Sequence, residues 1–425
     1  MKEDKSTERI EKERETLVGS RYLDKVDKES DEMQDLSYWK HPFLHNITQS
    51  FPKFGSMIIK RKKLLIFIIL AACVVGYLIY HNMRVFQSYE VIKTSQRTDV
   101  TSTEFVEWKG KLLKYSSDGV VYMNKDSIVW SSAYSIQTPI VHTCESMAVV
   151  GEQNGSQIYI YNTEEGQIGN FETLLPIKKV KVASQGVVAA VLEDGEVTWI
   201  NLYDTAGNEI AKHRTSVIES GYPVDVAISP DGEKMAISFL RTTNGILNTR
   251  VVFYNFGIVG RSKTNHEVSS EIYENTIVPK IEYLTDKTAV AFRDNGFTVF
   301  EGSQIPEKQF ETTFDQDIVS IFFDANTLGF VFQSDLSEYR YKIQLYNLSG
   351  KKTMEQYIEE EFQDIKFSSG EIILHDTHTF SIYSKHGKKI FSGEYEDQIV
   401  DLMKISGFRK YLVITEGSMD QIRLT

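Results

Sequence analysis

The sequence is poor in cysteine, since 425 residues contain only Cys73 and Cys144. Because Cys73 falls in an apolar run and Cys144 is the only thiol after it, no disulfide can form within the C-terminal part of the chain. A domain of that length without disulfides depends on a large hydrophobic core. A single cysteine in such a domain is typically a small buried apolar residue. An exported domain without disulfides is more typical of a bacterial surface than of a eukaryotic lumen.

The sequence also lacks the motifs of the common enzyme and cofactor sites. It contains no Gly-x-Ser-x-Gly elbow, no His-Glu-x-x-His pair, no Walker loop and no EF-hand loop. With four tryptophans and no adjacent cysteines, it does not have the repeated docking motifs of quinone-dependent dehydrogenases. Asp294-Asn-Gly296 keeps only the middle of a sialidase Asp box and Asp194-Gly195 has the wrong spacing, so we interpret both as hairpin turns. We therefore expect no catalytic residues and no cofactor.

The segment His375-Asp376-Thr377-His378 comes nearest to a metal site. Two imidazoles and one carboxylate are suitable ligands for zinc. Side chains in so tight a turn point apart, however, and the sequence offers no identifiable fourth ligand. The prediction is that no metal binds, with His375, Asp376 and His378 as weak candidates.

The charge is distributed unevenly along the chain. Up to Lys63 there are 14 Lys and Arg against 12 Asp and Glu, and the rest of the chain has 33 against 47. An acidic C-terminal part argues against binding to nucleic acid, whose phosphates require a basic surface. Acidity of this kind is otherwise typical of a soluble surface outside the cell.

One long apolar run, Leu64–Tyr80, divides the chain into two unlike parts. It contains no charge and no proline, and with its apolar flanks it is long enough to cross a bilayer as a helix. It is too long and too far from Met1 for an ordinary cleaved signal peptide, and a buried core helix is seldom apolar on every face. We predict a transmembrane helix over residues 64–82. Its N-terminal flank is basic and is therefore expected in the cytoplasm: Lys60, Arg61, Lys62 and Lys63.

This span sets the expected domain boundaries. Residues 1–35 are rich in mixed charge and poor in apolar side chains, which predicts a disordered cytoplasmic tail. Residues 36–63 form an aromatic and basic juxtamembrane segment, which either lies among lipid headgroups or is a plain linker. Residues 83–425 are predicted to be an extracytoplasmic domain, so that the protein is a single-pass protein of the cell membrane.

The C-terminal part contains an internal repeat. Alternating strands that end in tyrosine and precede a glycine turn occur at Ile158–Tyr161, Ile200–Tyr203, Ile343–Tyr346 and Phe380–Tyr383. Two strand patterns precede each of these, and a more polar one follows, as expected for an outer edge strand. Four strands in about 40 residues is the spacing of a β-propeller blade.

These repeats predict an all-β fold with about eight blades. The units begin near Phe105, Ile140, Ile177, Pro223, Pro279, Ile318, Phe362 and Ile399. The last unit ends after three strands, so we predict that residues 89–99 supply the missing outer strand and close the ring. We expect the repeated tyrosines to pack between blades; stacking on sugar rings is the alternative use of such side chains.

The turn Ser229-Pro230-Asp231-Gly232 resembles the inter-strand turn of WD40-like and quinoprotein-like propellers. With its surroundings, it is similar to the bacterial family called domain of unknown function 5711, found in anaerobic Gram-positive bacteria. The stretches that carry this resemblance are 221–232, 115–119, Trp130 and 253–256. The resemblance implies a membrane-anchored propeller and brings no assigned activity or catalytic residues.

Three functions remain open at this point. The first is a non-catalytic cell-surface scaffold that binds an envelope protein or a cell-wall polymer. The second is an enzyme that acts on envelope glycans through acidic residues at the channel mouth. The paired acids Glu164-Glu165 and 359–361 fall at turns or polar strands, which indicates solvated surface instead. The third adds signalling through residues 1–35.

The expected topology is tested by adding protease to intact cells that produce the full chain. Cleavage of the C-terminal part is expected without permeabilisation, because residues 83–425 are predicted to lie outside the membrane. Immunoblots against tags at both ends give the measurement. A C-terminal part that is cut only after permeabilisation would place the propeller in the cytosol.

Overall fold

The computed structural model describes residues 69–74, 76, 85–100 and 102–425. The chain divides into one unit up to Arg84 and a second unit from Val85 to Thr425. The predicted tail (1–35) and juxtamembrane segment (36–63), with the basic residues Lys60–Lys63, lie outside the described residues. Of the predicted span 64–82, residues 69–74 and 76 are described, and they are helical.

Within these described ranges, no helix has the length and apolar character that a bilayer crossing requires. The transmembrane helix therefore stays a prediction.

The second unit is an eight-bladed β-propeller, which confirms the expected all-β fold and resolves the blade count. Each blade is a four-stranded antiparallel sheet in which consecutive strands are neighbours. The first strand of the propeller unit, β1, covers Tyr89–Gln96. Blades 1 to 4 follow as β2 (Glu104–Trp108), β3 (Lys111–Ser116), β4 (Gly119–Asn124), β5 (Ser127–Ala133); β6 (Pro139–Cys144), β7 (Met147–Glu152), β8 (Gln157–Asn162), β9 (Gly166–Glu172); β10 (Ile177–Val182), β11 (Val188–Asp194), β12 (Val197–Tyr203), β13 (Glu209–Ser216); and β14 (Tyr222–Ile228), β15 (Lys234–Thr243), β16 (Ile246–Asn255), β17 (Glu267–Glu274).

Blades 5 to 8 complete the ring as β18 (Lys280–Tyr283), β19 (Thr288–Arg293), β20 (Gly296–Glu301), β21 (Glu307–Thr313); β22 (Ile318–Phe323), β23 (Thr327–Gln333), β24 (Tyr341–Asn347), β25 (Lys352–Ile358); β26 (Asp364–Ser368), β27 (Glu371–His375), β28 (Thr379–Ser384), β29 (Lys389–Glu394); and β30 (Ile399–Lys404), β31 (Lys410–Thr415), β32 (Ser418–Leu424) with β1. A short helix α1 (Ile258–Arg261) and a 3₁₀ turn (Thr264–His266) lie between β16 and β17. The acids Asp294 and Asp194 lie at hairpin turns, as the spacing of their motifs indicated.

The alternation of strand direction gives the propeller two faces. We call the face with the turns between second and third strands, and with the connections between blades, the top face. The bottom face has the turns between first and second strands and between third and fourth strands. The first strand of each blade lies next to the central channel and runs from top to bottom.

The last blade takes its outer strand from the beginning of the propeller. Strand β1 pairs antiparallel with β32 through seven residue pairs, from Tyr89 opposite Leu424 to Gln96 opposite Ser418. The segment expected to close the ring, 89–99, contains this strand. Before it, Phe86 N donates to Ile390 O at 2.8 Å on the bottom face. The two ends of the propeller chain therefore meet within one blade.

The core consists of clusters between blades. Among the described residues there are eight hydrophobic clusters, one for each pair of neighbouring blades. The cluster that closes the ring, between blades 8 and 1, has seven buried residues, and three of them are methionines: Met123, Met403 and Met419. Cys144 packs against the cluster between blades 2 and 3, and burial raises the pKa of its thiol to about 11.

The repeated tyrosines pack as expected. Tyr161, Tyr203, Tyr346 and Tyr383 are buried and belong to clusters between neighbouring blades. Tyr161 also stacks on Trp130 of the preceding blade, with ring centroids 5.3 Å apart. The repeat thus places one aromatic side chain per unit where it holds two sheets together. These four rings are not available to stack on a sugar.

The quartet 229–232 is the turn between β14 and β15. Asp231 accepts hydrogen bonds from Ser229 Oγ at 2.5 Å and from Lys234 Nζ at 2.6 Å. The Lys234 side chain is buried, so its charge requires this partner. Gly232 has φ +69°, a backbone conformation that glycine adopts without steric cost. The motif is therefore structural.

The closing blade offers a matched pair of substitutions, because Val91 and Ile422 are opposite each other on β1 and β32. Ile422 is fully buried, whereas Val91 is 50% exposed. Ile422→Ala is expected to lower the free energy of unfolding by about 2–5 kcal/mol through lost packing and a new cavity. Val91→Ala should change it by less than about 1 kcal/mol. Denaturant unfolding of the full chain measures both, and equal losses would contradict the assignment of Ile422 to the packed interior of this blade and of Val91 to its exposed edge.

Candidate functional site

The first strands that line the central channel carry several buried charged groups, among them Lys181, Asp225 and Asp401. Ionisable side chains line the channel from the first strands of the blades, at the third residue of the unit in six of eight cases. These six are Glu107, His142, Lys179, Asp225, Asp364 and Asp401. The channel contains two cavities, one near each face.

The lower cavity has a volume of about 500 Å³ and opens near the bottom face. Its wall is formed by first strands and the turns that follow them in blades 1, 2, 3, 5 and 6. At its centre Glu282 of blade 5 lies between groups of two other blades. Lys181 Nζ of blade 3 donates to Glu282 Oε2 at 2.7 Å, and His142 Nε2 of blade 2 lies 3.6 Å from Glu282 Oε1.

The protonation of this cluster follows from its contacts. Val182 N donates to His142 Nδ1 at 3.1 Å, so Nδ1 carries no hydrogen and the proton of the neutral ring is on Nε2, next to Glu282. Burial, together with the charge of Lys181, lowers the pKa of His142. Burial alone would raise the pKa of Glu282, but Lys181 and His142 outweigh it and hold that pKa well below its usual range. The cluster is thus a neutral histidine beside an ionised pair.

Asp225 makes a second connection between blades. It accepts hydrogen bonds from Lys179 Nζ of blade 3 at 2.8 Å and from Ile281 N of blade 5 at 3.0 Å. Its own strand belongs to blade 4. One buried carboxylate therefore joins three first strands.

The upper cavity has a volume of about 530 Å³ and is lined by blades 1, 7 and 8. Asp401 is buried there and accepts hydrogen bonds from Lys366 Nζ and from Leu402 N. Glu107 accepts a hydrogen bond from Ser368 Oγ at 2.5 Å. Burial raises the pKa of Glu107 above its ordinary value, and the hydrogen bond from Ser368 only partly offsets this effect.

The structure separates the residues of the motif 375–378. His375 is buried at the end of β27, whereas His378 is exposed in the turn that follows. Among the described residues, the one group of potential metal ligands within range is Asp364, His375 and Asp401. The expected weak set of His375, Asp376 and His378 is therefore not brought together, and His375 instead has Asp364 and Asp401 as neighbours.

Glu360, in the segment 359–361, is not the solvated surface residue that the sequence predicted. Glu360 accepts hydrogen bonds from Lys389 Nζ at 2.8 Å, Ser392 Oγ at 3.0 Å and Tyr383 Oη at 3.0 Å. Burial raises the pKa of Glu360, but Lys389 and Ser392 outweigh it and bring it to about 2. Glu360 therefore joins blade 7 to the connection before it. Glu164, Glu165, Glu359 and Glu361 are exposed, as predicted.

Sequence reasoning did not identify the channel residues as a site. The signal was present, because the third position of most units is ionisable where a strand buried on both faces would be apolar. The sequence does not show which of these charged residues pair with each other. Lys181 and Glu282 are 101 residues apart and meet only because the ring brings blade 5 toward blade 3.

Removing the Lys181 ammonium tests whether it compensates the buried charge of Glu282 in the lower cavity. The Lys181 and Glu282 side chains are 10% and 12% exposed, so Lys181→Met leaves a buried charge unpaired. We expect a loss of about 3 kcal/mol in the free energy of unfolding at neutral pH. A carboxyl group whose pKa is lower in the folded protein stabilises the fold at pH values above 4.5, its ordinary pKa. It loses this contribution as the pH falls toward the lowered pKa. The deficit of the variant should therefore shrink on acidification.

The matched control is Lys178→Met on the same strand. Lys178 pairs with Glu193 at 2.6 Å, but both side chains are more than one third exposed. Its removal should cost less than about 1 kcal/mol at every pH. Denaturant unfolding of both variants between pH 2 and pH 8 gives the comparison. Similar losses for the two variants, or a deficit for Lys181→Met that does not depend on pH, would contradict the assignment.

Comparisons with known proteins found similar solved structures and one matching family model. Among solved structures, BamB from Moraxella catarrhalis is similar with 12% identity and a TM-score of 0.47, over 80% of this chain and 98% of that one. Sqt1 from Saccharomyces cerevisiae has 11% identity and a TM-score of 0.47, over 80% and 100%. Hsv2p from Kluyveromyces lactis has 10% identity and a TM-score of 0.41, over 74% and 98%. No curated protein matches the sequence. The model of the family of unknown function DUF5711 matches residues 82–424, which confirms the resemblance seen in the sequence, and the chain belongs to that family.

Proposed function

We propose that this protein is a membrane-anchored, extracytoplasmic scaffold whose top face binds an envelope protein through an exposed apolar surface. The anchor is the predicted span 64–82, with Lys60–Lys63 on the cytoplasmic side. The absence of disulfides and the acidic composition of residues 83–425 fit a bacterial cell surface.

The observation that carries the proposal is an extended hairpin in blade 4. Strands β15 and β16 have ten residues each, whereas the second and third strands of the other blades have five to seven. The hairpin therefore projects beyond its neighbours on the top face. Residues 241, 242 and 244–247 at its tip are exposed, and they include Ile246 and Leu247 at 50% and 44% exposure.

Further apolar side chains accompany this hairpin. Val217 and Ile218, in the connection before blade 4, are 50% and 85% exposed, and Tyr222, opposite Leu240 at the base of the hairpin, is 49% exposed. We call Val217, Ile218, Tyr222, Ile246 and Leu247 the top-face patch. Exposed apolar groups of this kind mark protein interfaces. Because only one of the five is aromatic, the patch suits apolar protein side chains better than sugar rings.

The position of the chain ends is compatible with binding at this face. The chain enters the propeller at Val85 and Phe86 on the bottom face, where Thr425 also lies next to Ser88. Val85, the first described residue of the propeller, therefore lies on the face opposite the hairpin tip.

Two carboxylates of the channel, Asp401 and Glu282, are engaged in ion pairs, which favours a scaffold over the glycan-acting enzyme. Hydrolysis of a glycosidic bond requires one protonated acid and one carboxylate that is free to act as nucleophile or base. In the upper cavity Asp401 is held by Lys366 and by Leu402 N, and in the lower cavity Glu282 is held by Lys181. These carboxylates are used as internal ion-pair partners.

A double substitution in the patch tests the proposal. Full-length protein with Ile246→Asp and Leu247→Asp should capture at least tenfold less of its partner after crosslinking in cells, because two charges would be placed in the apolar interface. The partner is identified by mass spectrometry and then titrated against purified wild type and variant. Both residues are exposed, so the fold should be unaffected.

The matched control is Ile258→Asp, since Ile258 is 86% exposed on the bottom face of the same blade. This variant should capture the partner as well as the wild type does. Identical capture by all three proteins would overturn the assignment of the patch. Recovery of a cell-wall polymer in place of a protein would favour the other class of ligand.

A further inference from the structure

Two neighbouring blades place three ligand groups at the top of the channel. Asp364 and His375 are opposite each other on β26 and β27 of blade 7. Asp401 lies on β30, the first strand of blade 8. One ligand atom from each of the three lies within 4.8 Å of the others. They lie beside the upper cavity, and Asp364 and Asp401 form part of its wall.

The orientation of His375 directs a lone pair toward the two carboxylates. Its Nδ1 lies 3.4 Å from the backbone oxygen of Asp376, and a carbonyl only accepts, so Nδ1 carries the hydrogen. The lone pair of the neutral ring is then on Nε2, which is 3.9 Å from Asp364 Oδ2. This separation is longer than a hydrogen bond, and His375 is only 4% exposed. A backbone carbonyl that fixes the tautomer of a histidine is the usual support of a metal ligand.

This cluster already attracts a cation. Lys366 Nζ donates to Asp401 and lies 3.9 Å from Asp364 Oδ2, so its ammonium is shared between the two carboxylates. The Lys366 side chain is 25% exposed and borders the upper cavity. The cavity therefore has room for the ammonium if another cation takes its place.

We propose that Asp364, His375 and Asp401 bind a divalent transition-metal ion of the zinc class, and that Lys366 competes with this ion. One imidazole nitrogen and two carboxylate oxygens suit such ions, whereas calcium and magnesium prefer oxygen alone. The ion would connect blade 7 to blade 8 and keep one coordination position open toward the cavity.

The geometry requires only a small adjustment. Ligand atoms about 2.0–2.2 Å from a tetrahedral ion are about 3.3–3.6 Å apart, so the three atoms must approach by about 1.5 Å at most. Asp364 has a half-exposed side chain and supplies this movement. His375 and Asp401 are held by the packing of their strands.

The experiment is a zinc titration of the full-length chain in detergent after removal of metals with a chelator. The wild type should bind one Zn²⁺ at this site, and Co²⁺ should give the visible absorption of a tetrahedral complex. Asp364→Asn and His375→Ala should each weaken binding at least tenfold. Lys366→Met should tighten binding at least tenfold, because it removes the competing ammonium.

The controls come from the same turn. His378→Ala and Asp376→Asn leave the three ligands intact and should bind Zn²⁺ within threefold of the wild type. If His375→Ala does not fold, the exposed position of Asp364 keeps the test decisive. Absence of binding in both wild type and Lys366→Met, or equal losses in Asp364→Asn and His378→Ala, would overturn the proposal.

Discussion

Contact between the apolar faces of neighbouring blades is the interaction on which the rest of this structure depends. Each of the eight clusters takes side chains from two adjacent sheets, so no sheet buries its faces alone. A sheet of four short strands is stable only when it packs against another element. The ring must therefore close for every blade to be covered. The closing cluster, with three methionines among its seven buried residues, does this with adaptable side chains in place of the aromatic rings of the other interfaces.

The charged channel is a consequence of the same closure. First strands converge on a narrow axis, where solvent is limited and a charge must find a partner. Glu282, Asp225 and Asp401 each find one on a different blade, through Lys181, Lys179 and Lys366 respectively. Two of these pairs join neighbouring blades, and the Lys181–Glu282 pair joins blades 3 and 5 across the channel. They add little to stability, because desolvation offsets much of their attraction.

The blades were predictable from sequence because their determinants are local. The units have their own strand alternation and turns, and four of them have the glycine turn and final tyrosine. The starts near Ile177, Ile318 and Ile399 coincide with the first residues of β10, β22 and β30. The partners in the channel were not predictable, because a local pattern contains no information on which strands meet across a ring. His375 illustrates the difference. In sequence its nearest polar neighbours are Asp376 and His378, but the pairing of β26 with β27 and the position of the next blade give it Asp364 and Asp401.

The antiparallel pairing of β1 with β32 determines how the ring would carry mechanical load. A tension applied at Val85 pulls along the axis of β1, parallel to the strand with which it is hydrogen-bonded. All seven residue pairs then resist in shear at the same time, whereas a pull across the strand would peel them apart one by one. The anchor proposed above would therefore load the closing blade in shear, which is the direction in which a β-strand pair resists separation best.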